Sequence, residues 1–209
     1  MAQRPQIVIY RPAEDQDPTW QFYSMPVSIV GGGRTLEKAR KQYFEAFNFA
    51  LEESDYQPEV VREYVEREIQ SLGIWIRTPL GLPTADRSFT QVASQIVQYP
   101  DEDREWFYRH ITAGGDPVVV PSFADAPLNS IYDQMTPYDS VIVVMGTHDG
   151  DNLRFAWIVI NGMASERTDG DASTPLESLG LTPTSSLGEV LAGALAIFGD
   201  RPAELLASV

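Results

Sequence analysis

The first 53 residues carry the pattern that most restricts how this chain can fold. Residues 7–10 form an apolar run, a polar turn follows, and residues 20–30 form a second β-rich run that Pro26 divides. After three glycines at 31–33, apolar residues recur every three or four positions from Leu36 onward. Runs with β character followed by a helical period predict a β-β-β-α unit, in which one long helix packs across a small antiparallel sheet.

The glycine triplet marks the change from sheet to helix. Thr35 is placed to cap the helix, because its side-chain oxygen can accept a hydrogen bond from an amide of the first turn. Phosphate-binding loops have a different glycine spacing, and no Gly-Lys-Ser/Thr follows here. We therefore interpret residues 31–33 as a flexible strand-to-helix turn.

A second helix is predicted over residues 58–72. A proline opens it at a position that helices tolerate, and apolar residues then recur at the spacing of a buried stripe. The stripe consists of Val60, Val61, Tyr64, Val65, Ile69 and Leu72. Glu63 and Arg67 would form an i,i+4 ion pair on the outer face of this helix.

The rest of the chain predicts a mixture of short strands and helices. The Asp-Gly turn at 149–150 lies between two apolar runs and is a strong β-hairpin signal. Ser186 and Glu189 form a capping box ahead of an Ala- and Leu-rich helix. In chain order, the predicted elements are a β-like run at 74–76, helices within 87–113, a strand at 118–120, a helical turn near 129–135, the hairpin at 139–163, a surface linker at 164–185 and the last helix at 187–198.

These elements predict an α+β fold: a small antiparallel sheet with a long packed helix, a helical middle region, a C-terminal β-hairpin and a terminal helix. The 209 residues are enough for one large domain or two small ones. We expect residues 1–72 to form the first unit with residues 73–163 packed on it, and residues 164–209 to hold an acidic linker and the last helix. That helix carries few charges, so it must pack on the body of the protein or hold a homo-oligomer together.

Composition excludes several functional classes. The chain has no cysteine, which rules out disulfides, thiolate metal sites and cysteine nucleophiles. A net charge of −15 argues against direct binding to a nucleic-acid backbone, which requires clustered lysines and arginines. There is neither a signal-peptide pattern nor an apolar run long enough for a membrane helix, so we expect a cytoplasmic protein that does not bind membranes.

The chemistry-bearing residues of the sequence give little support for an enzyme. His148, Asp149 and Asp151 are the densest set of potential metal ligands, and Asp-x-Asp in a glycine turn is typical of calcium or magnesium loops. A full calcium loop needs further ligands, and a hairpin turn accounts for the same residues. We predict no cofactor and no catalytic residue, and a metal-dependent hydrolase at these three positions is the third functional interpretation.

An acidic turn supplies the candidate partner surface. Glu14, Asp15 and Asp17 lie between the first two predicted strands, and Trp20 follows them. We expect a basic protein partner to bind at these carboxylates, with Trp20 beside them.

The same residues carry a family resemblance. The apolar strand at 7–9, the acidic turn, the strand at 20–23, Pro26 and the helix start Gly-Arg-Thr-Leu-Glu-Lys-Ala at 33–39 resemble the N-terminal domain of HicB-like antitoxins. The resemblance covers residues 5–53. It implies a partial ribonuclease-H-like or double-stranded-RNA-binding-like α/β unit that neutralises a small basic ribonuclease by covering it.

The chain also departs from that family. HicB-like antitoxins usually append a basic DNA-binding module, and residues 60–209 contain none; Lys38 stands where the family more often has glutamate. We therefore predict a non-catalytic acidic protein that engages a basic protein partner, antitoxin- or inhibitor-like. The alternative is a structural subunit of a larger phage- or defence-related assembly that associates with itself through its C-terminal helix.

Overall fold

The computed structural model describes residues 5–13, 16–52, 58, 60–98, 118–132, 140–149, 152–161, 174–175, 180–198 and 203–206. Within these residues the protein has mixed parallel and antiparallel sheet structure and four helices, which confirms the predicted α+β class. None of the helices in this part of the chain has the length and apolar character needed to cross a membrane.

The chain divides into two compact units, each discontinuous in sequence. Unit 1 consists of Met1–Arg67 and Arg77–Arg87, and unit 2 of Glu68–Ile76 and Ser88–Val209. The predicted three-part division of the chain stays a prediction. The first elements are β1 (Gln6–Pro12), β2 (Trp20–Met25), β3 (Val30–Gly33), α1 (Leu36–Glu52), β4 (Val61–Ile69), β5 (Ile74–Pro79) and α2 (Ala85–Gln98).

Unit 1 contains the predicted β-β-β-α arrangement. Strand β2 pairs antiparallel with β1 and with β3, and β3 leads directly into α1. The helix buries Ala39, Tyr43 and Phe47 against a cluster that includes Val8 and Phe22. The Thr35 cap is confirmed, since the Lys38 amide donates to its hydroxyl oxygen at 3.2 Å.

The glycine triplet differs from its predicted role as a flexible turn. It forms β3 with Val30, and its backbone packs too closely on neighbouring groups to admit side chains. A Cβ at Gly31 would lie 2.6 Å from the Phe22 ring, and one at Gly33 would lie 2.5 Å from the Ala39 nitrogen. Close approach of strand and helix therefore requires glycine here.

The predicted helix over residues 58–72 is wrong, because residues 61–69 form strand β4. It pairs in parallel with β1, with Ile9 opposite Tyr64. Residues four apart lie on one face of a strand as well as near one face of a helix, so Val61, Val65 and Ile69 of the predicted stripe fit both periods. The strand also buries Tyr64 on its opposite face, which hides the alternation typical of β structure.

The i,i+4 helical geometry expected for Glu63 and Arg67 does not form, because both residues lie on strand β4, where residues four apart are separated by about 13 Å. Glu63 instead binds Arg40 of α1, and Arg67 binds Asp86 at the start of α2. The β-like run at 74–76 is confirmed as part of β5. Helix α2 covers the first part of the predicted helical region at 87–113, and residues 99–113 lie outside the described residues.

Unit 2 holds the remaining elements. They are β6 (Val118–Ser122), α3 (Asn129–Tyr132), β7 (Ser140–Asp149), β8 (Asn152–Asn161), β9 (Thr174–Pro175), α4 (Leu187–Phe198) and β10 (Ala203–Leu206). Strand β6 pairs in parallel with residues 75–76 and with β7, and β8 returns antiparallel along β7, which confirms the predicted hairpin. Strands β9 and β10 were not predicted; β10 pairs in parallel with β8, and β9 with β10.

Two apolar clusters build the core of unit 2 on opposite faces of its strands. One contains Val141 and Val143 with Leu187 and Val190 of α4, and the other contains Ile142 and Val144 with residues of α2. The first turns of α4 therefore pack on the protein itself. The predicted capping box is confirmed, since the Ser186 amide donates to Glu189 at 2.7 Å and the Glu189 amide donates to the Ser186 hydroxyl at 3.2 Å.

Candidate functional site

The acidic turn predicted to bind a partner connects β1 to β2. The Ala13 amide donates to the Thr19 carbonyl at 2.8 Å, which closes the base of the turn. Glu14 and Asp15 lie outside the described residues, and Asp17 is exposed. Trp20 is half-buried at the start of β2, where it packs against the unit 1 cluster around Phe22. The structure thus places Asp17 and Trp20 at one end of unit 1.

The candidate metal ligands lie at the end of the β7–β8 hairpin. Asp149 pairs with Asn152 and His148 with Leu153, so His148 and Asp149 lie at the end of the paired part of the two strands. Asp151 and the side chains of His148 and Asp149 fall outside the described part of the structure, and a metal site at these positions stays a prediction. Among the side chains that the structure does describe, no group of three or more potential metal ligands converges.

A buried charged cluster that the sequence did not predict lies on β4. Glu66 and Arg77 are 0% and 1% exposed, and the Arg77 Nε and Nη2 atoms donate to Glu66 Oε1 at 2.9 and 2.7 Å. Arg11 of β1 donates through Nε to the other carboxylate oxygen at 2.8 Å. Arg77 Nη2 also donates to the Tyr23 hydroxyl at 3.0 Å. The cluster therefore joins strands β1, β2, β4 and β5 within unit 1.

Electrostatics keep this buried carboxylate ionised. Burial alone would favour the neutral acid, but the positive charges of Arg77 and Arg11 outweigh it and hold the pKa of Glu66 below its usual value. Hydrogen bonds from both arginines act in the same direction. Glu66 is therefore a poor proton acceptor at neutral pH, and both of its oxygens are occupied.

A second cluster lies on the opposite face of β4. Arg40 of α1 binds Glu63 through two nearly parallel hydrogen bonds, Nε to Oε1 at 2.7 Å and Nη2 to Oε2 at 2.6 Å. The Tyr10 hydroxyl donates to Glu63 Oε1 at 2.9 Å. Burial and then the neighbouring Glu63 carboxylate raise the pKa of Tyr10, so its hydroxyl stays protonated and acts as a donor.

Both clusters fasten elements of unit 1 to one another. Their carboxylates accept hydrogen bonds from fixed protein donors, which is the arrangement expected of structural ion pairs. Sequence separation explains why they were missed, since Arg11 and Glu66 are 55 residues apart. One signal was present in the sequence: Arg77 directly follows the apolar run Ile74-Trp75-Ile76, and a charge within a buried strand requires a partner.

The charge of the chain is unevenly distributed along the sequence. Residues 1–87 contain ten lysines and arginines and thirteen aspartates and glutamates, whereas residues 88–209 contain five and seventeen. The local balances are thus −3 and −12 of the total of −15. The excess of negative charge therefore belongs mainly to residues 88–209.

No protein-family model matches the chain, and neither does any curated protein or solved structure. The resemblance of residues 5–53 to HicB-like antitoxins stays a prediction.

Proposed function

We propose that this protein is a non-catalytic acidic binding protein that engages a basic protein partner, in the manner of an antitoxin or an inhibitor. The observation that carries the proposal is the net charge of −15. The buried Arg77 already binds a carboxylate of the protein itself, that of Glu66. Three more arginines of unit 1, Arg11, Arg40 and Arg67, also bind carboxylates. Such an excess of negative charge attracts a basic protein over a long range and accelerates its association.

The proposed contact surface is the turn with Glu14, Asp15 and Asp17, together with Trp20. Exposure of Asp17 leaves its carboxylate accessible to a cation of the partner. Trp20 is held by packing on the unit 1 cluster, so little side-chain entropy is lost when its exposed part is covered. Charge and a rigid aromatic side chain would act together at this end of the sheet.

The first test is recovery of a partner. Tagged protein is purified from its host at low salt, with a high-salt wash as the control, and the co-purifying proteins are identified by mass spectrometry. A small basic protein that is retained at low salt and released at high salt is the expected result. Recovery of the chain alone at low salt would contradict the proposal.

The second test assigns the surface. Replacing Glu14, Asp15 and Asp17 with their amides should weaken binding of the recovered partner about tenfold or more, mainly through a slower association rate. A matched control replaces Glu37, Glu45 and Glu52, which are exposed on α1, with glutamine and changes the net charge equally. Equal loss of affinity in both variants would show that only total charge matters, and unchanged affinity in the first would exclude this turn.

A further inference from the structure

Strand β3 lies at the end of the strand order of unit 1. Among the described strands it pairs only with β2, with Phe22 opposite Gly31 and Gln21 opposite Gly32. The outer strand of a sheet offers its backbone N–H and C=O groups to any other strand that approaches. Proteins usually protect such an edge with charged side chains, prolines or bulges.

The close packing of β3 prevents that kind of protection at three of its four residues. A side chain on Gly32 would overlap the Trp20 carbonyl oxygen and the Pro18 ring, and side chains on Gly31 and Gly33 would meet Phe22 and α1. The remaining residue, Val30, is 76% exposed and apolar. Strand β3 therefore carries neither lysine nor proline, and its three glycines are half-buried.

A side chain from the helix covers this backbone instead. Gln42 of α1 accepts a hydrogen bond from the Gly32 amide at 3.0 Å through its Oε1 atom. The same oxygen would lie 3.3 Å from a Cβ at Gly31, so the Gln42 amide lies over both glycines. Its carbonyl oxygen occupies the position that a carbonyl of an additional strand would take.

Alternation along the strand shows which other groups face the same way. Because the Gly32 N–H points away from β2, the backbone N–H of Val30, two residues earlier, faces outward as well. An antiparallel copy of β3 presents the same groups in reverse order, so the edge is complementary to itself about a twofold axis.

We propose that β3 is a latent pairing edge whose partner is a second copy of this chain, and that the Gln42 side chain keeps it closed. Removing Gln42 exposes the outward amide of Gly32 and allows antiparallel β3–β3 pairing. Two chains of charge −15 repel each other, so this pairing strengthens as salt screens the repulsion. The proposed binding of a basic partner weakens with salt, and the two processes are therefore distinguishable.

The test compares Gln42→Ala with Gln42→Glu in the full chain by light scattering and analytical ultracentrifugation. Alanine is a good helix former at this exposed position but offers no acceptor, whereas glutamate retains a side-chain oxygen for the Gly32 amide. At high salt, Gln42→Ala should shift toward twice the mass of the wild type at equal concentration, and Gln42→Glu should match the wild type. A wild-type mass for Gln42→Ala would overturn the proposal.

A second variant tests whether the association uses this edge. Adding Val30→Pro to Gln42→Ala removes the outward N–H of Val30 without removing a ladder hydrogen bond to β2, and should restore the wild-type mass. Circular dichroism verifies that each variant is folded. If proline disturbs the fold, hydrogen exchange of the Gly32 amide in Gln42→Ala is measured instead. This amide should exchange faster than in the wild type at low protein concentration and should regain protection at high protein concentration. Association that persists in a folded double variant, or exchange independent of concentration, would contradict β3 pairing.

Discussion

Glu66 is a carboxylate that has been removed from solvent and surrounded by positive charge. It stays ionised because Arg77 and Arg11 compensate for the lost hydration, and Arg77 in turn depends on Glu66. Ion pairs of this kind add little net stability compared with an apolar pair, but losing one partner leaves an isolated buried charge. The free energy of unfolding of unit 1 should therefore depend strongly on this single residue.

We expect Glu66→Gln to lower the free energy of unfolding by about 3 kcal/mol, measured by urea denaturation at pH 7, because the buried Arg77 guanidinium loses its counter-charge. Replacing Glu45, whose ion pair with Lys41 is exposed, should cost no more than about 0.5 kcal/mol. A loss as small for Glu66→Gln as for Glu45→Gln would show that the cluster does not stabilise the fold.

The pH dependence of Glu66 has a definite sign. The folded-state pKa of Glu66 lies below the ordinary glutamate value of 4.5, so its contribution to stability is complete above pH 4.5 and decreases as the pH falls through the lower folded-state pKa. The stability of the wild type should decrease more steeply below pH 4.5 than that of Glu66→Gln. Parallel curves for the two proteins would contradict this assignment.

At the scale of elements, local sequence signals predicted the helix starts and the hairpin turn correctly. The pairing of strands that are distant in sequence could not be predicted. Helix α1 follows a Thr35 cap, the last helix follows a Ser186–Glu189 box, and an Asp-Gly turn joins β7 to β8; each signal spans only a few residues. Strand β4 was predicted as a helix because its neighbour β1 is about 55 residues away in sequence. Pairing with β1 overrode a local pattern that fitted both periods.

The glycine strand β3 tests how tightly its neighbours are packed. Gly32→Ala should destabilise the protein by about 2 kcal/mol or more, because the added methyl group meets a backbone carbonyl that cannot move aside like a flexible side chain. Val30→Ala on the same strand is exposed and should cost less than about 1 kcal/mol. Thermal unfolding of both variants measures the difference, and equal melting temperatures would refute close packing at Gly32.

At the scale of the whole molecule, charge is the property that the sequence alone makes evident. Repulsion among 30 carboxylates, offset by only 15 lysines and arginines, opposes the compact state. The specific sites remain harder to predict, since the Glu63 and Glu66 clusters depend on strand pairings that no local pattern reveals. Composition therefore gives the net charge, whereas the fold determines which of these charges are exposed.

Raising sodium chloride from about 10 mM to about 300 mM should increase the melting temperature by a few degrees, because screening weakens repulsion between like charges. Sodium sulfate at equal ionic strength is the comparison, since sulfate also strengthens apolar burial and should add a further increase. A melting temperature that falls with sodium chloride would mean that screened ion pairs outweigh the net repulsion.

The discontinuity of unit 1 affects how this protein can be dissected. The chain leaves the unit after Arg67 and re-enters it at Arg77, which returns the guanidinium that Glu66 requires. A fragment ending at residue 72 would keep the buried carboxylate and discard its main counter-charge. Truncation experiments and fusion junctions should therefore be placed beyond Arg87, where the second segment of the unit is complete.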